Sequence, residues 1–426
     1  MKRSRPSVII GKGHKEGVLP DTEVQDLCRR ALEGLDLGGK RILALIPDST
    51  RTAPVGLMFR TLVGLVSRRA AKIDFLIALG THLPMSQEKI LAHLGLTAAE
   101  RRTKYATVDF FNHAWDDPKS LVVVGALSAD QMGALSEGRY ALQVPVEVNR
   151  RLLHCDHLFI VGPTFPHEVA GFSGGHKYIF PGVAGPDIIH FFHWLGALVT
   201  NWKINGVKDT VVRRVIDRAV EFIKIPITNF DMVVAREGVK GLFVGDARRA
   251  FSAAADLSAQ VHIRYVDRPY RRVLGIAPLM YDDLWTAGKV MYKLEPIVED
   301  GGELIIYAPH VTEVSYAHGK VLDCIGYHCL DYFREQMDKF AGVPGGIMAH
   351  STHVKGLGTY CNGIEKPRIQ VTLATGIPEE RCRRINLGYL DPRSIRAADW
   401  IGREKQGVLL VDHAGEVLHR LKSDRT

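Results

Sequence analysis

The first half of the chain repeats one pattern: a short apolar run, a polar turn, then a stretch with helical spacing. Arg41-Ile-Leu-Ala-Leu-Ile46 reads as a buried strand that runs into Pro47-Asp48-Ser49-Thr50-Arg51. Ile73 to Leu79 reads as the next strand and runs into Gly80-Thr81-His82. Leu121 to Val124 and His157 to Val161 follow, the latter running into Gly162-Pro-Thr-Phe-Pro-His167. Helical stretches such as Ser86 to Leu94 alternate with these runs, which predicts an α/β fold with a parallel sheet.

The pattern resumes after a hinge-like stretch at Val266 to Tyr270. Arg272 to Ile276 and Glu303 to Tyr307 are strand-like, and Asp282 to Val298 is helical. The expectation is two α/β domains: residues 1–264, and a smaller domain over 267–395. Residues 396–426, with the apolar run Gly407 to Val411, are expected to complete the first domain, because a lone terminal strand needs a sheet to join. No internal repeat or low-complexity segment interrupts this organisation.

Composition narrows the class. The chain has 426 residues, 46% hydrophobic and 24% charged, which suits a folded globular protein. No apolar run approaches the roughly 20 residues of a membrane span. Met1 to Pro6 is basic, but only Val8-Ile9-Ile10 follow before Gly11, too short for a signal peptide. The six cysteines form no CxxC pair, which predicts reduced thiols in a cytoplasmic protein rather than a thiolate zinc site. The net charge of +8 is spread over pairs such as Arg213-Arg214, Arg248-Arg249, Arg271-Arg272 and Arg383-Arg384. Scattered pairs read as solvated helix faces, so neither nucleic acid nor a membrane is an expected partner.

Ligands of open α/β sheets bind outside the carboxyl ends of the strands. Asp48 and Arg51, His82, and His167 each follow a predicted strand and would converge on that rim. Each alone also fits a helix cap or a satisfied turn. The densest segment runs from Phe165 to Gly182 and contains Gly171-Phe-Ser173-Gly174-Gly175-His176-Lys177. Glycines beside Ser173 allow close backbone approach, and consecutive N–H groups there would cradle a phosphate. The spacing is neither that of a P-loop nor that of a dinucleotide fingerprint. Lys177 reads as a phosphate cation, a Schiff-base lysine, an attachment point or a solvent lysine. Pro186 and Asp187 mark a helix start, and His190 and His193 share a face of that helix. A neutral imidazole there suits nickel, zinc or copper, although two histidines among Phe191, Phe192 and Trp194 also suit a half-buried helix.

The set Pro47 to Arg51, Gly80-Thr81-His82, Pro166-His167, Gly171 to Lys177, Pro181-Gly182 and His193 resembles the nickel-pincer lactate racemase family over nearly the whole chain. The resemblance implies two domains with the cofactor and active site in a cleft between them. It also implies a pyridinium-3,5-bisthiocarboxylic acid mononucleotide tethered covalently to Lys177, with Ser173, Gly174 and Gly175 beside it. Nickel would take His193 as its protein ligand, and His82 and His167 would be the acid/base pair. Asp48, Arg51 and Lys289 would meet the substrate. At Thr286, where lactate racemase carries glutamine, the sequence departs from the pattern and leaves the substrate open. Proteins that make the cofactor are the implied partners.

The implied reaction inverts C2 of a 2-hydroxy acid. A carboxylate makes the Cα–H poorly acidic, so removal as hydride, with a histidine taking the hydroxyl proton, is the accessible route to a flat 2-keto acid. One histidine per enantiomer is then the minimal apparatus. Substrates from lactate to aldonic acids share the reacting carbon, and Lys320, His350 and His353 are further polar groups that read as loop and surface residues. The alternative is a metal-dependent hydrolase with His82, His167 and His193 as direct ligands.

Overall fold

The computed structural model describes residues 9–424, so Met1 to Pro6 lie outside the described residues. The chain is α/β and forms two compact units. One unit contains the chain through Phe165, residues 172–189 and residues 213–261; the other contains residues 166–171, 190–212 and everything from His262 onward. The boundary near residue 262 lies close to the hinge-like stretch. The segments 166–171 and 190–212, expected in a continuous first domain, belong to the second unit.

The first unit is built on a seven-stranded sheet ordered Ile10–Gly13, Gly238–Gly245, Ile227–Ala235, His157–Pro163, Arg41–Ile46, Lys72–Ile77, Phe110–Asn112. The last five run parallel, and Gly238–Gly245 and Ile10–Gly13 add an antiparallel edge. Burial explains the apolar runs: every residue from Ile42 to Ile46 and from His157 to Pro163 is buried, as strands covered on both faces require. Chain order reverses between Arg41–Ile46 and His157–Pro163, the topological switch point where open sheets leave a crevice. The loops that begin at Pro47 and Thr164 both start there.

One expected strand lies elsewhere. Leu121–Leu127 pairs antiparallel with Val144–Asn149 in a two-stranded ribbon of its own. Its burial alternates, with Val123 exposed, and Gly125 follows a bulge where a Cβ would collide with Phe222. A half-exposed, bulged strand suits a ribbon rather than a doubly covered sheet.

The second unit holds a five-stranded parallel sheet ordered Gly388–Tyr389, Gln370–Thr375, Val298–Ala308, Tyr270–Ile276, Val408–Val411. The terminal strand Val408–Val411 therefore joins this sheet, not the first one: Tyr270–Ile276 offers it an edge, in register from Arg272↔Val408 to Gly275↔Val411. Leu418–Leu421 also pairs in this unit, with Ile263–Val266. The helices Leu284–Ala287 and Lys289–Leu294 cover the sheet through Leu284, Val290, Met291 and Leu294. All six cysteines are free thiols. Among the described residues no helix is long and apolar enough to cross a membrane.

Candidate active site

Asp48 sits two residues beyond the strand Arg41–Ile46 and is buried. Its Oδ1 accepts the Thr50 N–H at 3.1 Å and the Thr50 hydroxyl at 2.7 Å, the local turn that aspartate favours. Its Oδ2 lies 2.5 Å from His82 Nδ1. Burial alone would raise the carboxyl's pKa. His82, Arg51 and Thr50 outweigh it and hold Asp48 well below the usual carboxylate range. A carboxylate at Nδ1 places the proton there and leaves the Nε2 lone pair for chemistry. The His82 side chain keeps 23% of its surface exposed, against 8% for Asp48. Asp48, expected at the substrate, therefore also orients His82.

The His82 loop is itself fixed. Gly80 takes a φ of +56°, which glycine adopts without strain, and its N–H donates to the Gly182 carbonyl at 2.9 Å. His93 reaches the Pro47 carbonyl at 3.0 Å from the other side. Arg51 is half-buried, with its guanidinium carbon 5.7 Å from the centre of the Phe165 ring, so the loops after two neighbouring strands meet at the switch point.

The glycine-rich segment is tightly packed. The Ser173 N–H donates to the Phe165 carbonyl at 2.8 Å, and its hydroxyl donates to Pro163 O at 2.9 Å while accepting the Phe165 N–H at 3.0 Å. The Gly175 N–H donates to Asp231 Oδ1 at 2.9 Å. Gly174 has a φ of +84°, and a Cβ there would stand 2.1 Å from Thr164 Oγ1. Ser173, Gly174 and Gly175, expected beside the cofactor, thus also hold the segment together, through the Ser173 hydroxyl and N–H and the Gly175 N–H. Arg213 closes the base: it donates to Gly174 O at 3.1 Å and to Phe172 O, and its guanidinium lies 4.0 Å from the centre of the Phe251 ring. Burial pushes that guanidinium down to about 10. Across residues 172–184 every residue is buried except Lys177, which is half-buried. The Lys177 carbonyl accepts the Gly182 N–H at 3.2 Å, and Gly182 O accepts from Gly80, so two hydrogen bonds link the lysine to the His82 loop.

The second unit carries the other expected residues. His167 is buried, and its Nδ1 accepts the Val169 N–H at 3.1 Å. His190 and His193 are half-buried on the helix Pro186–Val199. His190 packs against Gly346, where a Cβ would fall 2.8 Å from its Nδ1. Thr286, expected at the substrate, is buried in a capping box: its N–H and hydroxyl reach Asp283 Oδ1 at 2.9 and 3.0 Å. Its neighbour Trp285 is half-buried, as is Lys289 one turn on, while the residues between them are buried. Lys289 Nζ lies 4.5 Å from the centre of the Tyr281 ring.

His350 and His353 are buried on the helix Gly345–Lys355, not on a loop, whereas Lys320 is exposed. Trp285 stacks on His350, with centroids 4.2 Å apart and planes at 26°. Tyr292 and Tyr327 hydroxyls meet the two His350 nitrogens at 2.8 and 3.2 Å. His353 Nε2 is buried with no hydrogen-bond partner among the described residues, and burial lowers this imidazole to about 4.

Sequence reasoning missed Asp231, Arg213, His93 and Trp285. For Arg213 a signal existed, since it lies beside the apolar stripe Val212, Val215, Ile216 and Ala219 of its helix. For Asp231, inside a buried strand, the polar residue itself was the signal. Arg213→Met should lower stability by about 2–4 kcal/mol, because two buried carbonyls lose a charged donor. Urea denaturation measures this, and an unchanged midpoint would contradict the assigned support.

Comparison with known proteins bears on this arrangement. Residues 24–204 match the model of the lactate racemase N-terminal domain. The lactate racemase of Thermoanaerobacterium thermosaccharolyticum is 24% identical over 310 residues, 69% of this chain and 67% of that protein. That of Lactiplantibacillus plantarum is 23% identical over 65% of this chain, which spans 62% of that relative's length. A solved protein from Thermotoga maritima superposes with a TM-score of 0.87 at 34% identity, covering 96% of this chain and 100% of that one. The lactate racemase apoprotein from Thermoanaerobacterium thermosaccharolyticum shares the fold, with a TM-score of 0.69 at 18% identity over 97% of this chain and 100% of that one. The chain is thus similar to the lactate racemases, which are isomerases, and matches their N-terminal domain over residues 24–204.

Proposed function

We propose that the protein inverts the C2 centre of a 2-hydroxy acid with a nickel-pincer nucleotide tethered to Lys177. The observation that carries this reading is the coupling, within one unit, of an oriented histidine to a half-buried lysine: His82 held by Asp48, and Lys177 linked to the same loop through Gly182 and Gly80. The donor set fits the group. Lys177 offers an amine from a rigid, packed segment, and His193 offers a half-buried imidazole of the kind that suits nickel. Among the described residues no group of three or more His, Cys, Asp or Glu could hold a metal ion.

When bound, the nucleotide would supply the acceptor for the Cα hydrogen as hydride. The chain supplies orientation and protons. His82 Nε2 takes the hydroxyl proton of one enantiomer, while Asp48 holds Nδ1–H and balances the imidazolium. His167 returns a proton from Nε2 to the carbonyl oxygen of the 2-keto acid, and the two histidines exchange roles for the other enantiomer. Arg51 and Lys289 hold the carboxylate, the arginine through its planar fork. Proteins that make the nucleotide are the partners this reading requires, and the cytoplasm is its compartment.

The surroundings of Lys289 favour a substrate larger than lactate, such as an aldonic acid. Trp285 offers a flat face one helical turn from the ammonium, and its stacking partner His350 lies on the same helix as His353, whose Nε2 lacks a partner. Buried polar groups of this kind pair with hydroxyls. A screen of cofactor-loaded enzyme against lactate, malate and aldonic acids should give its highest kcat/KM on an aldonic acid. Highest kcat/KM on lactate would return the substrate to the smallest member.

The tether and the nickel ligand are tested together. Intact mass of natively produced protein should show an adduct that Lys177→Ala loses, with folding of the variant checked by circular dichroism. His193→Ala should lower nickel content, whereas His190→Ala should mainly loosen the packing against Gly346. An adduct retained without Lys177, or equal nickel loss in both histidine variants, would refute the assignments.

A further inference from the structure

The two histidines assigned to proton transfer are held differently. Asp48 lies at His82 Nδ1, at 2.5 Å. At His167 Nδ1 two groups meet: the Val169 N–H, which donates at 3.1 Å, and the carboxylate of Glu168, whose Oε2 stands 3.5 Å away. The side chains of His167 and Glu168 are 7% and 16% exposed, so this contact is weakly screened by water. While Nδ1 accepts from Val169, neutral His167 carries its proton on Nε2. In that tautomer Nε2 has no lone pair with which to take a proton, and it gives one only from the imidazolium.

We infer that Glu168 is a positioning residue for His167: it accepts Nδ1–H when the ring turns from Val169, and so allows Nε2 to take up and release the substrate proton. The proton count closes without a further reactant. In the imidazolium, Nδ1–H points to Glu168 and Nε2–H to the substrate oxygen. Giving up the Nε2 proton leaves a neutral ring with its proton on Nδ1, held by Glu168. In reverse, Nε2 takes the hydroxyl proton and the Nδ1 proton stays where it is. Return to the Val169-bonded tautomer between turnovers moves one proton from Nδ1 to Nε2 through water.

Two helices present titratable groups to Glu168. From the helix Gly345–Lys355, a charged Glu168 opposes the effect of burial on His353. From the helix Lys289–Leu294, Tyr292 is raised by burial first and further by a charged Glu168. Glu168 is also the only carboxylate between Asp156 and Asp187.

The catalytic consequence rests on the racemase reading, whereas the ionisation does not, and the two are measured separately. The imidazole of His167 is titrated by NMR in Glu168→Gln, Glu168→Asp and the unaltered protein. Glu168→Gln should lower the His167 pKa by about one unit, the shift expected for loss of one adjacent charge, and Glu168→Asp should restore part of it. In cofactor-loaded enzyme Glu168→Gln should cut kcat about 10–100-fold, change KM less than threefold, and move one limb of the pH profile to lower pH. An unchanged His167 titration in Glu168→Gln overturns the inference, whether or not the enzyme racemises any 2-hydroxy acid. A lowered His167 pKa in a protein inactive on every 2-hydroxy acid upholds the pairing and overturns the racemase reading.

Discussion

A buried carboxylate at the end of a central strand constrains everything around it. Asp48 has lost its water, and a charge in that position persists only where hydrogen bonds and opposite charge replace the solvent. Thr50 supplies two hydrogen bonds, His82 a third contact and Arg51 a nearby positive charge. The tautomer and direction of His82 follow from that requirement. So does the position of Arg51, which is drawn toward Asp48 and set above Phe165. The histidine and the arginine proposed to act on the substrate are thereby fixed by one electrostatic demand rather than by two separate ones.

The lysine segment answers a different constraint. The proposed tether at Lys177 would need a backbone that does not yield, yet a chain with three glycines among five residues is intrinsically loose. The looseness is removed from below: Asp231 takes the Gly175 N–H, Arg213 takes two carbonyls, and Ser173 bridges Pro163 and Phe165. At Gly174 and Gly175 a side chain would not fit against Thr164 and Phe251. Rigidity of this kind is what the proposed tether would require to meet its substrate in one orientation.

Most of the fold was legible, for a physical reason. Strands covered on both faces must be apolar throughout, and Arg41–Ile46 and His157–Pro163 announced themselves that way. Leu121–Leu127 has the same residue types, but its half-exposed burial is set by its antiparallel partner, which no local pattern discloses. The terminal strand Val408–Val411 was read correctly as a strand and assigned to the wrong sheet, because edge availability is a property of the assembled unit. Motif spacing singled out Asp48, Arg51, His82, His167 and Lys177. It did not disclose which of the singled-out side chains also hold a neighbour: Asp48 holds His82, Thr286 closes a capping box with Asp283, and Trp285, beside Thr286, is left half-exposed. Hydrogen-bond direction decides such roles, and only coordinates supply it.

The fate of a deuterium at Cα tests the hydride reading most directly. A 2-hydroxy acid labelled there is converted by cofactor-loaded enzyme in ordinary water, and the inverted product is examined by mass spectrometry. The predicted result is a product that keeps its deuterium at Cα and forms more slowly than from unlabelled substrate, because the hydrogen returns without meeting solvent. Rapid loss of the label to water would show that His82 and His167 act on the carbon itself, and would contradict the division in which the histidines move only the hydroxyl proton.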